Sequence, residues 1–122
     1  MPDKNSLKPV IWVGTSRADF RKFPDQVQNR MGYALYVAQQ GGKHRDAKPL
    51  KGFGGSGVVE IVADRRGDTF RCVYTIRIEE TVYVLDAFQK KSKKGRATPR
   101  SDMDLIKKRL RDAERIAQGE RA

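Results

Sequence analysis

The sequence predicts an α+β domain with a small, antiparallel-rich sheet of about four strands and helices packed on one face of it. Three patterns lead to this fold class. The segment Thr69 to Ile78 alternates side chains with the period of a strand. Two other segments, one in the front half and one near the C-terminal end, repeat apolar residues with the period of a helix. The length of 122 residues is typical of one domain, so residues 1–122 are expected to form a single unit.

The front half is expected to open with a strand and to continue into two helices. Val10 to Gly14 is a short apolar run that ends in glycine. Thr15-Ser16 can cap a short helix from Arg17 to Phe23. A second helix is indicated by an apolar stripe and ends at Gly41-Gly42. The stripe consists of Val27, Met31, Ala34, Leu35 and Ala38.

A basic, glycine-rich connector, His44 to Gly57, separates these helices from the sheet. A phosphate-binding P-loop is excluded, because such a loop opens a helix whereas Gly57 opens the predicted strand Val58 to Ala63. The glycines are expected to permit a tight approach of the connector to the sheet. The next strand, Thr69 to Ile78, follows a turn that contains Gly67.

The alternation in Thr69 to Ile78 predicts one core face and one polar face. Arg71 and Arg77 are expected to project from the polar face. The predicted core face consists of Phe70, Cys72, Tyr74, Ile76 and Ile78. After a tight turn at Glu79-Glu80, the strand Thr81 to Phe88 is apolar on both sides apart from Asp86, which is typical of a central strand.

A last helix is predicted after Pro99, and the chain before it is strongly basic. The helical stripe consists of Met103, Ile106, Leu110, Ala113 and Ala117. The formal net charge is +11, and it is concentrated in the run from Lys90 to Arg100, which has six cations and no acid. A domain this basic attracts polyanions, of which nucleic acid is the commonest, although a solvated basic surface remains the alternative.

Composition excludes several other classes of protein. No apolar run approaches the ~20 residues that span a bilayer, and no signal peptide is visible, so the cytoplasm is the expected compartment and no membrane partner is expected. The single cysteine, Cys72, cannot form an internal disulfide. Because no Cys/His spacing or carboxylate cluster is present, neither a metal site nor a cofactor is expected.

Three segments together resemble the HigB-like, phage-derived branch of the RelE/ParE toxin superfamily. They are Lys48 to Ile61, Thr69 to Tyr74 and Val82 to Lys94, with Thr98-Pro99 after the last. The resemblance runs from about Val10 to Ala117. Relatives often carry a histidine just before the Ala-Phe pair, where this chain has Asp86, and the role of Asp86 is left open.

The resemblance implies a RelE-like fold and the toxin of a type II toxin–antitoxin system. Such toxins commonly cut mRNA on the ribosome, so the implied activity is that of a metal-independent endoribonuclease, an mRNA interferase. The expected partners are an antitoxin, often a helix-turn-helix protein, and the ribosome with its mRNA. Operator DNA would be bound only through the antitoxin complex. The alternatives are a non-catalytic, ParE-like gyrase inhibitor and a basic nucleic-acid-binding domain without toxicity.

Metal-independent RNA cleavage needs a base, an acid and cations around the phosphate. With one histidine in the chain, Arg and Lys must do most of this work. Arg71 is the first catalytic candidate, its alternative being an ion pair with Glu60. Lys90 and Lys91 are the other catalytic candidates. Their alternative is a run of solvated charges at the end of a strand. The candidate substrate-binding residues are His44, Lys48, Lys51, Arg77, Lys93 and Lys94, the first three of which could instead lie in a mobile loop.

Overall fold

The structure, a computed structural model, describes residues 7–55, 57–90 and 98–119. This part of the chain contains eight helices and strands. They follow one another as β1 (Val10–Trp12), α1 (Ser16–Phe20), α2 (Asp25–Gln39), β2 (Lys48–Pro49), β3 (Val58–Arg65), β4 (Asp68–Ile78), β5 (Thr81–Lys90) and α3 (Arg100–Ala117). None of the described helices is long and apolar enough to cross a membrane.

The strands form one sheet in the order β1-β5-β4-β3-β2. β1 runs parallel to β5, and every other neighbouring pair is antiparallel. The α+β class and the antiparallel-rich sheet are therefore confirmed, as is the central place of β5. The expected number of four strands is one too few, because Lys48 and Pro49 pair with Glu60 and Val59 at the edge of the sheet.

Helices cover both faces of this sheet, so the prediction of helices on one face only is wrong. α1 and α2 pack on the face that carries Ile61, Cys72 and Val84. α3 packs on the opposite face, where Ile106 and Ala113 join Val58, Val73 and Leu85. Because the third helix covers this second face, β4 has buried residues on both sides, including Val73 and Thr75.

Of the two front helices, α2 forms as its sequence predicts, whereas α1 ends at Phe20 rather than Phe23 and lacks the predicted side-chain cap at Thr15. All five residues of the α2 stripe are buried, and they face the sheet together. Gly41 ends the helix with a φ of 90°, and the N–H of Gly42 then donates to the carbonyl of Val37 at 3.0 Å. The left-handed backbone of this C-terminal cap is readily adopted only by glycine.

A register shift between β4 and β5 changes which way Asp86 points. Tyr74 pairs with Val84, but the preceding Val73 pairs with Asp86, so Leu85 is an extra residue in β5. Such a β-bulge reverses the alternation of side chains. Leu85 and Asp86 consequently both lie on the α3 side, and Ala87 returns to the α2 side.

Gly57 joins the connector to β3 in a left-handed conformation, with a φ of 77°. A Cβ atom at this position would lie 2.5 to 2.8 Å from the Cγ, Cδ and Cβ atoms of Arg77. This contact confirms the expectation that a connector glycine permits a close approach to the sheet.

We expect Gly57→Ala to be more destabilising than Gly54→Ala. Both positions have a positive φ, but a Cβ at Gly54 would meet nothing within 4 Å. The steric conflict with Arg77 should therefore add about 1–3 kcal/mol to the cost of the strained backbone. Urea denaturation of the two variants measures this difference in the free energy of unfolding, and equal losses would contradict the steric argument.

Candidate functional site

Arg71 lies in the middle of β4 and forms an ion pair with Glu60 of β3. Its Nη1 atom is 3.0 Å from the Glu60 Oε2 atom, and the two side chains are only 7% and 16% exposed. The expectation that Arg71 projects openly from the sheet is therefore wrong, and its alternative, the pair with Glu60, is confirmed. A buried cation requires such a partner, because the loss of hydration is otherwise uncompensated.

The strand register places three further side chains beside this pair on the α3 side of the sheet. Lys48 lies opposite Glu60, Glu60 lies opposite Val73, and Val73 lies opposite Asp86. Directly opposed residues of a sheet share a face, so these four residues form one row across the strands. Arg71 belongs to the next row, opposite Phe88. Lys48, at the outer end of the row, is exposed.

Arg77 lies near the other end of β4, where it forms a basic corner with Lys43. Its Nη1 atom donates to the Gly55 carbonyl at 2.9 Å. Arg77 and Lys43 line the same hollow beneath the glycine-rich connector, and Lys51 is exposed in the turn after β2. Six residues of strand separate Arg77 from Arg71, a distance of about 20 Å. The two arginines therefore cannot hold the same phosphate group.

The contacts of His44 connect it to its own loop and to α2. Its Nδ1 atom accepts a hydrogen bond from the Asp46 backbone N–H at 3.0 Å. The ring packs edge-on against Tyr33, with 5.6 Å between ring centroids. These contacts give His44 a role in shaping the loop, and its substrate-binding role stays a prediction.

The remaining basic candidates lie at the end of β5 or beyond it. Lys91, Lys93 and Lys94 lie outside the described residues. Of Lys90 only the backbone position is described, opposite Thr69. Their predicted catalytic and substrate-binding roles stay predictions.

A second cluster of charged groups lies where α3 crosses β5, and its centre is Arg109. The Nη1 atom of Arg109 donates to the Leu85 carbonyl at 2.9 Å, and its Nη2 atom donates to Thr15 Oγ1 at 2.9 Å. Nη1 also lies 3.6 Å from Asp86 Oδ1. Arg109 is 7% exposed, so this guanidinium forms part of the helix–sheet interface.

Asp86 is buried in this cluster, and its pKa is raised well above the ordinary value of an aspartate. Burial, followed by a hydrogen bond and charge repulsion from Asp102, raises the pKa of Asp86 to about 7. Arg109 opposes this rise, since a nearby cation favours the carboxylate. A carboxyl group with a pKa of about 7 can gain or lose a proton at neutral pH, which makes it suitable for acid–base chemistry.

Asp86 and Asp102 line an open cleft at the edge of β5, beyond the end of its pairing with β1. β1 pairs with β5 only as far as Val84, so it does not cover the later residues of that strand. Asp19 and Lys22 of the α1 region and Phe88 of β5 complete the main walls of the cleft, whose volume is about 380 Å³. We call this space the β5 cleft. Arg71 does not line it, but lies directly opposite Phe88, which does.

Two other reactive side chains are placed too deeply to take part in chemistry. Cys72 and Tyr74 lie in the core against α2, as predicted. Burial raises the pKa of the Cys72 thiol to about 12, and it raises the pKa of the Tyr74 hydroxyl well above its ordinary value. Within the described ranges, no three His, Cys, Asp or Glu side chains come together as a set of metal ligands.

Arg109 and Asp102 were not among the site residues predicted from the sequence. A signal for Arg109 was present, because it lies three residues after Ile106 and four before Ala113, on the apolar stripe of α3. A charged residue on such a stripe indicates a buried polar contact. Asp102 gave no comparable signal, since acidic residues are common in the first turn of any helix.

Comparison with known proteins gives one family for this chain. The family model described as phage derived protein Gp49-like (DUF891) matches residues 18–111, well over half of the sequence. The chain belongs to the Gp49-like family. The resemblance to the phage-derived, HigB-like branch of the RelE/ParE superfamily is thereby confirmed.

Solved structures give a more distant match to this Gp49-like protein. A chain in the crystal structure of the toxin–antitoxin complex RelBE2 from Mycobacterium tuberculosis is 24% identical to it. The match covers 75% of this chain and 100% of that chain, with a TM-score of 0.45. No curated protein matches the chain.

We expect Arg109→Met to lower the free energy of unfolding of this Gp49-like protein by about 3 kcal/mol, because the change removes two hydrogen bonds and one partner of a buried ion pair. Lys107→Met is the matched control, since Lys107 is exposed on the same helix. That variant should stay within about 0.5 kcal/mol of the parent. Urea denaturation measures both values. Equal stabilities of the two variants would rule out a structural role for the Arg109 contacts.

The raised pKa of Asp86 predicts how stability changes with pH. The folded-state pKa of about 7 lies above the ordinary value of 3.8, so folding favours the protonated form. The stabilisation from this proton is complete below the ordinary pKa and is lost as the pH rises through the folded-state value. Asp86→Asn should therefore remove part of the fall in melting temperature between about pH 6 and about pH 8. Asp104→Asn, which changes an exposed residue of α3, should leave this fall in melting temperature unchanged. Identical curves of melting temperature against pH for the parent and both variants would contradict the prediction.

Proposed function

We propose that this chain is the toxin of a type II toxin–antitoxin pair and that it cuts mRNA bound to the ribosome. The observation that carries the proposal is the Gp49-like match over residues 18–111. That span includes the row from Lys48 to Asp86, the Arg71–Glu60 pair and the basic corner.

The cations are arranged in a way that suits a long polyanion. The net charge of +11 favours association with RNA, and the exposed basic corner offers phosphate contacts. Arg71 lies apart from that corner, and its pair with Glu60 holds the guanidinium in one orientation. A fixed guanidinium is well suited to a phosphate at the reacting centre, because catalytic groups act best when they are oriented in advance.

Non-catalytic inhibition of gyrase is the second candidate, and one observation favours it. Arg71 is 5% exposed and bound to Glu60, so a phosphate must enter a nearly closed site to reach it. A toxin that only binds its target would need no such access. The experiment below separates the two functions.

An antitoxin is the proposed partner in both cases. A basic toxin is best neutralised by a segment that carries acidic residues, and part of the association rate should fall as salt is added. The helix-turn-helix character of that antitoxin, and binding of operator DNA through the complex, are part of the same proposal. Localisation in the cytoplasm follows from the proposed ribosomal target.

We expect Arg71→Ala to reduce single-turnover cleavage of mRNA on programmed ribosomes by about 100- to 1000-fold, the usual effect of removing one transition-state contact. Arg71→Lys should restore little, because an ammonium cannot reproduce the forked guanidinium contact. The matched control is Arg111→Ala, on the exposed surface of α3.

Loss of Arg71 also leaves the Glu60 carboxylate without this partner, so the folded state must be checked. Arg71→Ala combined with Glu60→Gln removes both charges and should recover the melting temperature without recovering cleavage. A folded double variant that cuts as fast as the parent would exclude Arg71 from the mechanism. A parent protein that inhibits gyrase and leaves ribosome-bound mRNA intact would replace the proposal with the second candidate.

A further inference from the structure

We propose that Asp86 is the catalytic base of this protein and that Asp102 is the residue that positions and tunes it, with the reacting nucleotide bound in the β5 cleft. This inference rests on the proposed RNA cleavage and deepens it. It assigns a chemical role to a side chain whose place in the fold follows from the bulge at Leu85.

Access to Asp86 comes from the β5 cleft. Asp86 is 3% exposed and forms part of the cleft wall, so a group bound in the cleft would lie next to this residue. Phe88 in the same wall offers an apolar surface for a base or a sugar, and the exposed Lys22 offers a cation for a phosphate. A cleft of about 380 Å³ is within the range of pockets that bind small organic groups.

The surroundings of the Asp86 carboxyl group favour a proton on it. Its buried Oδ2 atom has no hydrogen-bond partner among the described residues. Asp102 lines the same cleft, and together with burial it raises the pKa of Asp86 to about 7. Loss of this proton near neutral pH leaves a carboxylate of moderate basicity whose Oδ2 atom is without a partner among the described residues.

The chemical step balances with water as the only other reactant. The ionised Asp86 takes the proton of the RNA 2′-hydroxyl while the 2′-oxygen forms a bond to phosphorus. The bond from phosphorus to the 5′-oxygen breaks, and that oxygen takes a proton from water. The hydroxide that remains then takes the proton from the Asp86 carboxyl group. The products are a 2′,3′-cyclic phosphate and a 5′-hydroxyl, and Asp86 is again ionised.

The charged groups around Asp86 set the pH at which this base is available. Burial is the largest cause of the raised pKa, and Asp102 is the next. Arg109, also from α3, lowers it. From the other elements, Asp19 and Lys22 line the same cleft, and Cys72 and Arg71 lie on β4 beside Asp86. Removal of the Asp102 charge should lower the pKa of Asp86, because a like charge disfavours ionisation.

The test is the pH dependence of single-turnover cleavage on programmed ribosomes. The parent rate should rise with pH and level off above an inflection near pH 7, the pKa of Asp86. Asp86→Asn should lower the rate by about 100-fold or more. Asp102→Asn should shift the inflection to lower pH, which a purely structural role would not do. Asp104→Asn changes an exposed carboxylate two residues after Asp102 that does not line the cleft, and this variant should reproduce the parent profile.

Asp86→His gives a second variant if Asp86→Asn does not fold. An imidazole titrates near ~6.5 and can accept the same proton, so this variant should retain cleavage with an inflection of its own. Melting temperature and ribosome binding are recorded for every variant. If the parent cuts and a folded Asp86→Asn protein cuts at the same rate with the same profile, the assignment of Asp86 is overturned and the proposed function stands. If the parent does not cut at all, the proposed function itself is overturned.

Discussion

The buried guanidinium of Arg109 holds together three parts of the chain that are distant in sequence. It reaches from α3 to the Leu85 carbonyl in β5 and to Thr15 at the start of α1. A guanidinium buried to this extent is stable only when acceptors surround it, and the chain supplies two neutral oxygens and the Asp86 carboxyl group. The position of α3 on the sheet, and with it the shape of the β5 cleft, depends on these contacts.

The bulge in β5 explains why those acceptors are where Arg109 needs them. An unbroken alternation would place Asp86 on the α2 side, among the apolar residues that include Cys72 and Phe70. The extra residue, Leu85, turns Asp86 toward α3 and frees its own carbonyl for Arg109. Bulges are over-represented beside functional sites because they redirect a side chain without changing the rest of a strand. Here the extra residue, Leu85, both provides the carbonyl that Arg109 binds and orients the Asp86 carboxyl group toward α3.

Most of the fold could be predicted because the relevant signals are local. The stripe of α2, the turn at Glu79-Glu80 and the core face of β4 depend on the period of the chain and on turn chemistry, and each is present in the structure. The exception is Ile78, which was predicted on that core face but packs on the α3 side after a register shift near the end of β4. The packing of α3 on the second face of the sheet could not be predicted, because the apolar stripe of α3 does not indicate which side of the sheet the helix covers. The burial of Arg71 could not be predicted either. An arginine on the polar face of a strand pattern is equally compatible with exposure to solvent and with an ion pair. The site around Asp86 required the bulge, which has no distinct sequence signature in an apolar strand.

The separation of the charged groups favours a polymer over a small ligand as the substrate. Lys48 and Asp86 lie in one row, three strand spacings apart, or about 14 Å. Arg77 lies about 20 Å from Arg71 along β4. A single nucleotide bound in the β5 cleft could not reach the basic corner, whereas an RNA strand could occupy the cleft and still contact those cations. Binding energy from the distant contacts can then be used to orient the nucleotide at Asp86, which a carboxylate of moderate basicity requires in order to act on a hydroxyl group.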